Sequence, residues 1–159
     1  MTALGRIRRI YIDTSVIGGL FELEFQHGSE RLIALARSGS IALLLSDIVL
    51  DELLPAPSQV REAAEEILSF SSALVVTPEA RTLRDQYLAQ GVLDQKHATD
   101  ALHVALATVS ACNAIVSWNF KHIVSDRRIP LFNAVNVLRG YNQIGIFTPH
   151  VVIGNADRN

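Results

Sequence analysis

The chain has 159 residues, 49% of them hydrophobic, a formal net charge of -2 and a pI near 6.2. That is enough apolar material for one domain with a real core, so a disordered chain is excluded. No apolar run approaches the ~20 residues that a membrane-spanning helix needs, and a mildly acidic chain argues against strong, nonspecific binding to nucleic acid while leaving a small substrate footprint open.

The first basic cluster, Arg6, Arg8 and Arg9, runs into a short strand-like segment ending in an aspartate, which is not the pattern of a signal peptide. Ile10–Asp13 reads as the first strand, and its near-continuous apolar character suits a central parallel strand. A short helix is expected over Ser15–Phe25 and a second over Ser29–Ser38, closed by Gly39. Ile41–Leu45 reads as the second strand. Ser46 or Asp47 can cap the next helix, which carries Glu52 and stops at Pro55 and Pro57. Gln59–Phe70 is amphipathic, with Ala63, Ala64, Ile67 and Leu68 at helical spacing.

Leu74–Val76 reads as a short strand. Thr77 followed by Pro78 starts a helix over Glu79–Gln90, and Gly91 stops it. A further helix runs from about Gln95 to Ser110, with an apolar stripe through Ala98, Ala101, Leu102, Ala105, Leu106 and Val109. Ala114–Ser117 is a strand, Phe132–Arg139 a helix ended by Gly140, and Ile144–Phe147 a last strand. Strands alternating with helices predict one α/β domain, helices on both faces of a mainly parallel sheet. No linker, repeat or low-complexity segment divides it. The single Cys112 cannot form an internal disulfide; a buried structural thiol in a reducing cytoplasm is the expectation.

In such sheets ligands bind beyond the carboxyl ends of the strands. Asp13 and Asn119 both fall there, Glu52 follows the second strand by a short helical turn, and Asp100 lies early in a strong helix. Three carboxylates and an amide meeting at one spot would repel one another without a cation, and hard oxygen donors suit Mg²⁺ or Mn²⁺. Each has an ordinary alternative: Asp13 as a turn residue or helix cap, Glu52 as a surface glutamate beside the competing Asp51, Asp100 as an acid favoured by the helix dipole, Asn119 as a strand terminator. Asp94, His97, Asp100 and His103 drift slowly around one side of their helix. Asp94 is a candidate supporting residue. A two-histidine zinc site from His97 and His103 fits poorly, because six residues do not return to one helix face. Trp118 reads as core packing beside the site.

The segments Tyr11-Ile-Asp13-Thr14-Ser15, Ser46-Asp-Ile-Val-Leu-Asp-Glu52-Leu, Thr99-Asp100-Ala-Leu-His103-Val-Ala-Leu-Ala and Val116-Ser-Trp-Asn119-Phe-Lys121-His122-Ile occur in an order that resembles the PIN domain family, typified by the VapC toxins of bacterial toxin–antitoxin pairs. The resemblance covers roughly the whole chain. Trp118-Asn119-x-Lys121-His122 is its most specific element, and Asp13-Thr14-Ser15 is weak alone. Many PIN nucleases carry Asp at the fourth position, where this chain has Asn119, an oxygen ligand without charge.

The resemblance implies an endoribonuclease in which Asp13, Glu52, Asp100 and Asn119 hold the metal and products carry a 5′-phosphate and a 3′-hydroxyl. Thr14 or Ser15 would position a metal water or a phosphate oxygen. Lys121, with Arg6, Arg8, Arg9, Arg127 and Arg128, would offer phosphate contacts or else be solvated surface charge. The resemblance also implies RNA as substrate, a small antitoxin as partner and a homodimer. An inactive RNA- or protein-binding module is the competing expectation, supported by Asn119. A haloacid-dehalogenase-type phosphatase wants a second acid two residues after Asp13, where Ser15 stands. A receiver domain wants an acidic pair, which Ile12-Asp13 does not supply.

Overall fold

A computed structural model describes residues 6–156. Five strands form one all-parallel sheet in the order β3-β2-β1-β4-β5: β1 (Arg8–Ile12), β2 (Ile41–Ser46), β3 (Ser72–Leu74), β4 (Ala114–Val116) and β5 (Gly145–Phe147). Parallel strands need crossovers, and helices supply them. They are α1 (Thr14–Gly19), α2 (Gln26–Arg37), α3 (Asp47–Leu53), α4 (Ser58–Leu68), α5 (Pro78–Ala89), α6 (Ala98–Val109), α7 (Ile129–Leu138) and α8 (Pro149–Ala156), with a short 3-10 turn, Gln95–His97, leading into α6.

The period-two alternation of the strands builds two cores. Tyr11, Leu44, Ile115 and Ile146 point to one face, under α5, α6 and α7. Ile10, Ile12, Leu43, Leu45, Ala114 and Val116 point to the other, under α1 to α4, with Val152 of α8 packed alongside. The result is the expected three-layer α/β/α sandwich. β1 is its centre, pairing with β2 on one side (Ile10 opposite Leu43) and β4 on the other (Ile12 opposite Val116).

Several boundaries differ from expectation. The first helix ends at Gly19 rather than Phe25, because the chain turns before α2 begins at Gln26. The third strand is Ser72–Leu74, two residues earlier than expected, where its backbone pairs with Leu44–Ser46. The helix α7 begins at Ile129, with Pro130 in its first turn, where a missing N–H costs nothing. Thr77 caps α5 through its hydroxyl, which accepts from the Ala80 N–H at 3.2 Å. Gly39 and Gly140 take positive φ (81° and 87°) just past α2 and α7, the left-handed turn that lets a helix stop there.

Candidate active site

Reversal of strand order between β1 and β4 opens a crevice at the carboxyl ends of those two strands. Asp13 is the first residue after β1, and Ser117, Trp118 and Asn119 follow β4. The Asp13 carboxylate is only 4% exposed. Ser15 Oγ donates to its Oδ1 and Ser117 Oγ to its Oδ2, both at 2.6 Å. Burial raises its pKa above the ordinary carboxylate value, and the charge of Asp100 adds to the rise; His103 and the two hydroxyls oppose it.

Glu52 sits on α3 with its side chain 39% exposed. Thr14 Oγ1 donates to Glu52 Oε1 at 2.9 Å, and His103 Nε2 lies 2.6 Å from the same oxygen. Burial pushes Glu52 up, but the His103 hydrogen bond and charge, with the Thr14 hydroxyl, outweigh it and hold the carboxyl below its usual range. Asp51, the competing candidate, is exposed.

His103, 2% exposed on α6, anchors that arrangement from below. Its Nδ1 is 2.6 Å from the Tyr11 hydroxyl, which is 2.8 Å from Ser46 Oγ. When Ser46 Oγ donates to the Tyr11 hydroxyl and Tyr11 donates to His103 Nδ1, the ring donates its Nε2–H to the Glu52 carboxylate. Burial holds the Tyr11 phenol far above its normal pKa, so it stays a donor.

Asp100, at the start of α6, faces two imidazoles. His122 Nδ1 is 3.0 Å from Asp100 Oδ2, and His97 Nδ1 is 4.0 Å from the same oxygen. The two rings stack with centroids 3.6 Å apart. Asn119 lies in the crevice with its amide oxygen engaged: Oδ1 accepts the His122 backbone N–H at 2.9 Å, and its own N–H donates to Ser117 Oγ.

Trp118 fixes the loop that carries these residues. Its indole N–H donates to Ser29 Oγ at 2.9 Å, Ser29 Oγ donates to the Val16 carbonyl at 2.7 Å, and its backbone N–H donates to Ser15 Oγ at 2.9 Å. The ring stacks on Phe25 and lies against Gly19 and Gly28, where no side chain stands in its way. It is 5% exposed, so it is core and not a base-stacking surface.

Asp13, Glu52, Asp100 and Asn119 thus gather around one end of the sheet. Thr14 and Ser15 hold carboxylates. Asp94 is exposed, with Oδ1 3.8 Å from His97 Nε2. Lys121 is exposed, and its carbonyl accepts from Arg128, whose guanidinium also reaches the Val92 carbonyl. Arg6, Arg8 and Arg9 lie at the amino end of β1, the far end from Asp13, so they are not part of this crevice. His97 and His103 do not come together; His97 joins His122. Sequence reasoning missed Ser117, Tyr11 and Ser46 as supports of the site. Only the adjacency of Ser117 to Asn119 at a strand end hinted at one of them.

Fold and site together define a doubly wound α/β domain with a carboxylate centre at its topological switch point. A PIN domain model matches residues 10–127, a span that includes all four candidate ligands, and the chain belongs to the PIN domain family. PIN domains are generally nucleases. No curated protein matches the chain. Among solved structures it is similar to a chain in the crystal structure of VapBC2 from Rickettsia felis bound to a DNA fragment from their promoter. That match has 18% identity and a TM-score of 0.54 and covers 71% of this chain and 89% of that one, a likeness of fold.

Proposed function

We propose that this chain is a metal-dependent endoribonuclease, the toxin of a toxin–antitoxin pair, and that it hydrolyses RNA phosphodiester bonds without a covalent enzyme intermediate. The observation that carries the reading is the Asp13 carboxylate, buried beyond the central strand, with Asp100 near enough to act on it and Glu52 bound to the next residue, Thr14. Besides burial, His103, the Ser15 and Ser117 hydroxyls and Asp100 act on Asp13. Both donors to Glu52 land on Oε1, which leaves Oε2 for another partner. A buried carboxylate whose pKa stays raised despite a nearby histidine and two hydroxyl donors is costly to ionise, and a hard divalent ion is the partner that oxygen donors of this kind accept.

Asp13, Glu52 and Asp100, with Asn119, would hold Mg²⁺ or Mn²⁺. When bound, the ion supplies a water of lowered pKa and neutralises charge on the attacked phosphate. Ser15 and Ser117 keep the Asp13 carboxylate aimed into the crevice, and Thr14 and His103 do the same for Glu52. The likeness to VapBC2 supports an antitoxin as partner, and a homodimer in the cytoplasm completes the reading. A monomer in concentrated solution by light scattering would remove the dimer from it.

Asn119 favours a second reading, a weak or inactive PIN-like module that binds RNA or protein. Its amide oxygen, which would have to ligate the ion, is hydrogen-bonded to the His122 N–H. Purified protein incubated with mixed cellular RNA, in Mn²⁺, in EDTA, and as Asp13→Asn, decides between them. Cleavage that needs both metal and Asp13, with 5′-phosphate ends, supports the nuclease. A 2′,3′-cyclic phosphate product would sink the metal-dependent route, and absence of cleavage by folded, antitoxin-free protein would favour the binding module.

A further inference from the structure

We propose that His97, His122 and Asp100 form a second cation site, selective for a nitrogen-seeking transition ion such as zinc. Each offers one ligand atom, and these atoms all lie within 4.8 Å of one another. Bonds of roughly 2.0–2.1 Å in a tetrahedral zinc site put neighbouring ligand atoms about 3.3 Å apart. The His122–Asp100 separation of 3.0 Å is already close to that, and His97, at 4.0 Å, has less than ~1 Å to travel.

The orientation of the side chains, as well as their proximity, favours a ligand. The stacked imidazoles both turn Nδ1 toward the same carboxylate oxygen. His97 Nε2 lies 3.8 Å from Asp94 Oδ1, beyond hydrogen-bond length but near enough for the exposed carboxylate to close onto the imidazole and orient it when a metal binds. The two ligating histidines are also fixed through the backbone: the His97 N–H donates to the Asp94 carbonyl at 3.0 Å and the His122 N–H to Asn119 Oδ1 at 2.9 Å.

The side chains of His97, Asp100 and His122 are 30%, 26% and 14% exposed, so a fourth position is open to water. Two imidazoles disfavour Mg²⁺, which wants oxygen, and favour zinc or cobalt. Asp100 is common to this site and to the carboxylate centre. Zinc here therefore draws Asp100 away from Asp13 and restrains cleavage; this consequence, unlike the site itself, rests on the nuclease reading.

Cobalt(II) titrated into metal-free protein tests the site. One equivalent is expected to give the strong visible bands of a four-coordinate nitrogen-containing site, bleached by zinc, and Asp13→Asn is expected to keep them. H97A and H122A should each weaken binding at least about 100-fold and D94N about 10-fold, with circular dichroism reporting that each is folded. If H122A does not fold, H97A decides alone, since His97 is partly exposed. Faint bands of an octahedral oxygen site, loss of binding in Asp13→Asn, or an affinity indifferent to H97A would overturn the proposal. Zinc should also inhibit manganese-supported cleavage. If wild-type protein cleaves nothing, the nuclease reading fails while the cobalt spectrum still decides the site.

Discussion

Asp13→Asn should stabilise the metal-free protein. The carboxylate is 4% exposed and Asp100 adds negative charge nearby. An ion left in such a place costs several kcal/mol even after relaxation. Two hydroxyl donors at 2.6 Å return roughly 1.5–3 kcal/mol each, yet the pKa stays raised, so they do not offset the whole penalty. Asparagine keeps the shape. Its oxygen accepts from one serine, its NH₂ donates to the other, and the charge is gone. The net gain should be about 1 kcal/mol, which for a domain of this size raises Tm by roughly 2–4 °C.

The pH dependence follows from the raised pKa. In the unfolded chain Asp13 loses its proton near the ordinary value of 3.8, before the folded chain does. Its contribution to stability is therefore full below that pH and is lost as pH rises through the folded pKa. The advantage of Asp13→Asn should be largest at neutral pH and shrink on acidification toward pH 3.8. Denaturant unfolding in EDTA at several pH values measures this. An Asp13→Asn protein less stable than wild type by ~1 kcal/mol at pH 7, in EDTA, would refute the reasoning. In Mn²⁺ the order should reverse, because an ion that binds only folded wild type stabilises it by mass action.

Tyr11→Phe removes the hydroxyl between Ser46 and His103 and strands His103 Nδ1 inside the core. It should cost about 1–3 kcal/mol in chemical denaturation, and an unchanged midpoint would mean that the link is dispensable. Gly28→Ala puts a methyl 2.7 Å from two Trp118 ring carbons. Overpacking there should cost about 1–3 kcal/mol and shift tryptophan fluorescence; a silent spectrum would show that the ring is not wedged. Burial pushes the Cys112 thiol up to about 11. Native protein at neutral pH should therefore react with a thiol reagent at least ~100-fold more slowly than unfolded protein, as thiolate fraction governs attack. Stability should fall as pH climbs from 9 toward 11, since the unfolded thiol ionises first.

The layer architecture was legible because β4, most of β2 and the carboxyl half of β1 are continuous apolar runs, as strands covered on both faces must be. β3 was displaced because Leu74-Val75-Val76 looks more strand-like than Ser72-Ala73-Leu74, while pairing with β2 settles the matter. α8 went unread: Pro149–Ala156 has a weak stripe and a glycine, and its packing against α2 gives it its place. The four ligand candidates were visible by position, since strand ends and helix starts are countable. Their supports were not. Tyr11, Ser46 and His103 are separated by tens of residues, and each alone reads as core. The meeting of His97 with His122 depends on how the loop after β4 folds back toward α6, which no local pattern encodes.

Because β1 lies at the middle of the sheet, the centre is stitched across long stretches of sequence: Ser117 reaches Asp13 over 104 positions, and His103 reaches Tyr11 over 92. A ribosome releases the N-terminal aspartate early and the serine that steadies it late. Until β4 docks, Asp13 has no neighbour on that side, and a strand so placed closes its long loops last. Truncations and nascent chains ending before Ser117 thus lack the crevice altogether. The centre cannot form before β4 is made, with α7, β5 and α8 still to follow.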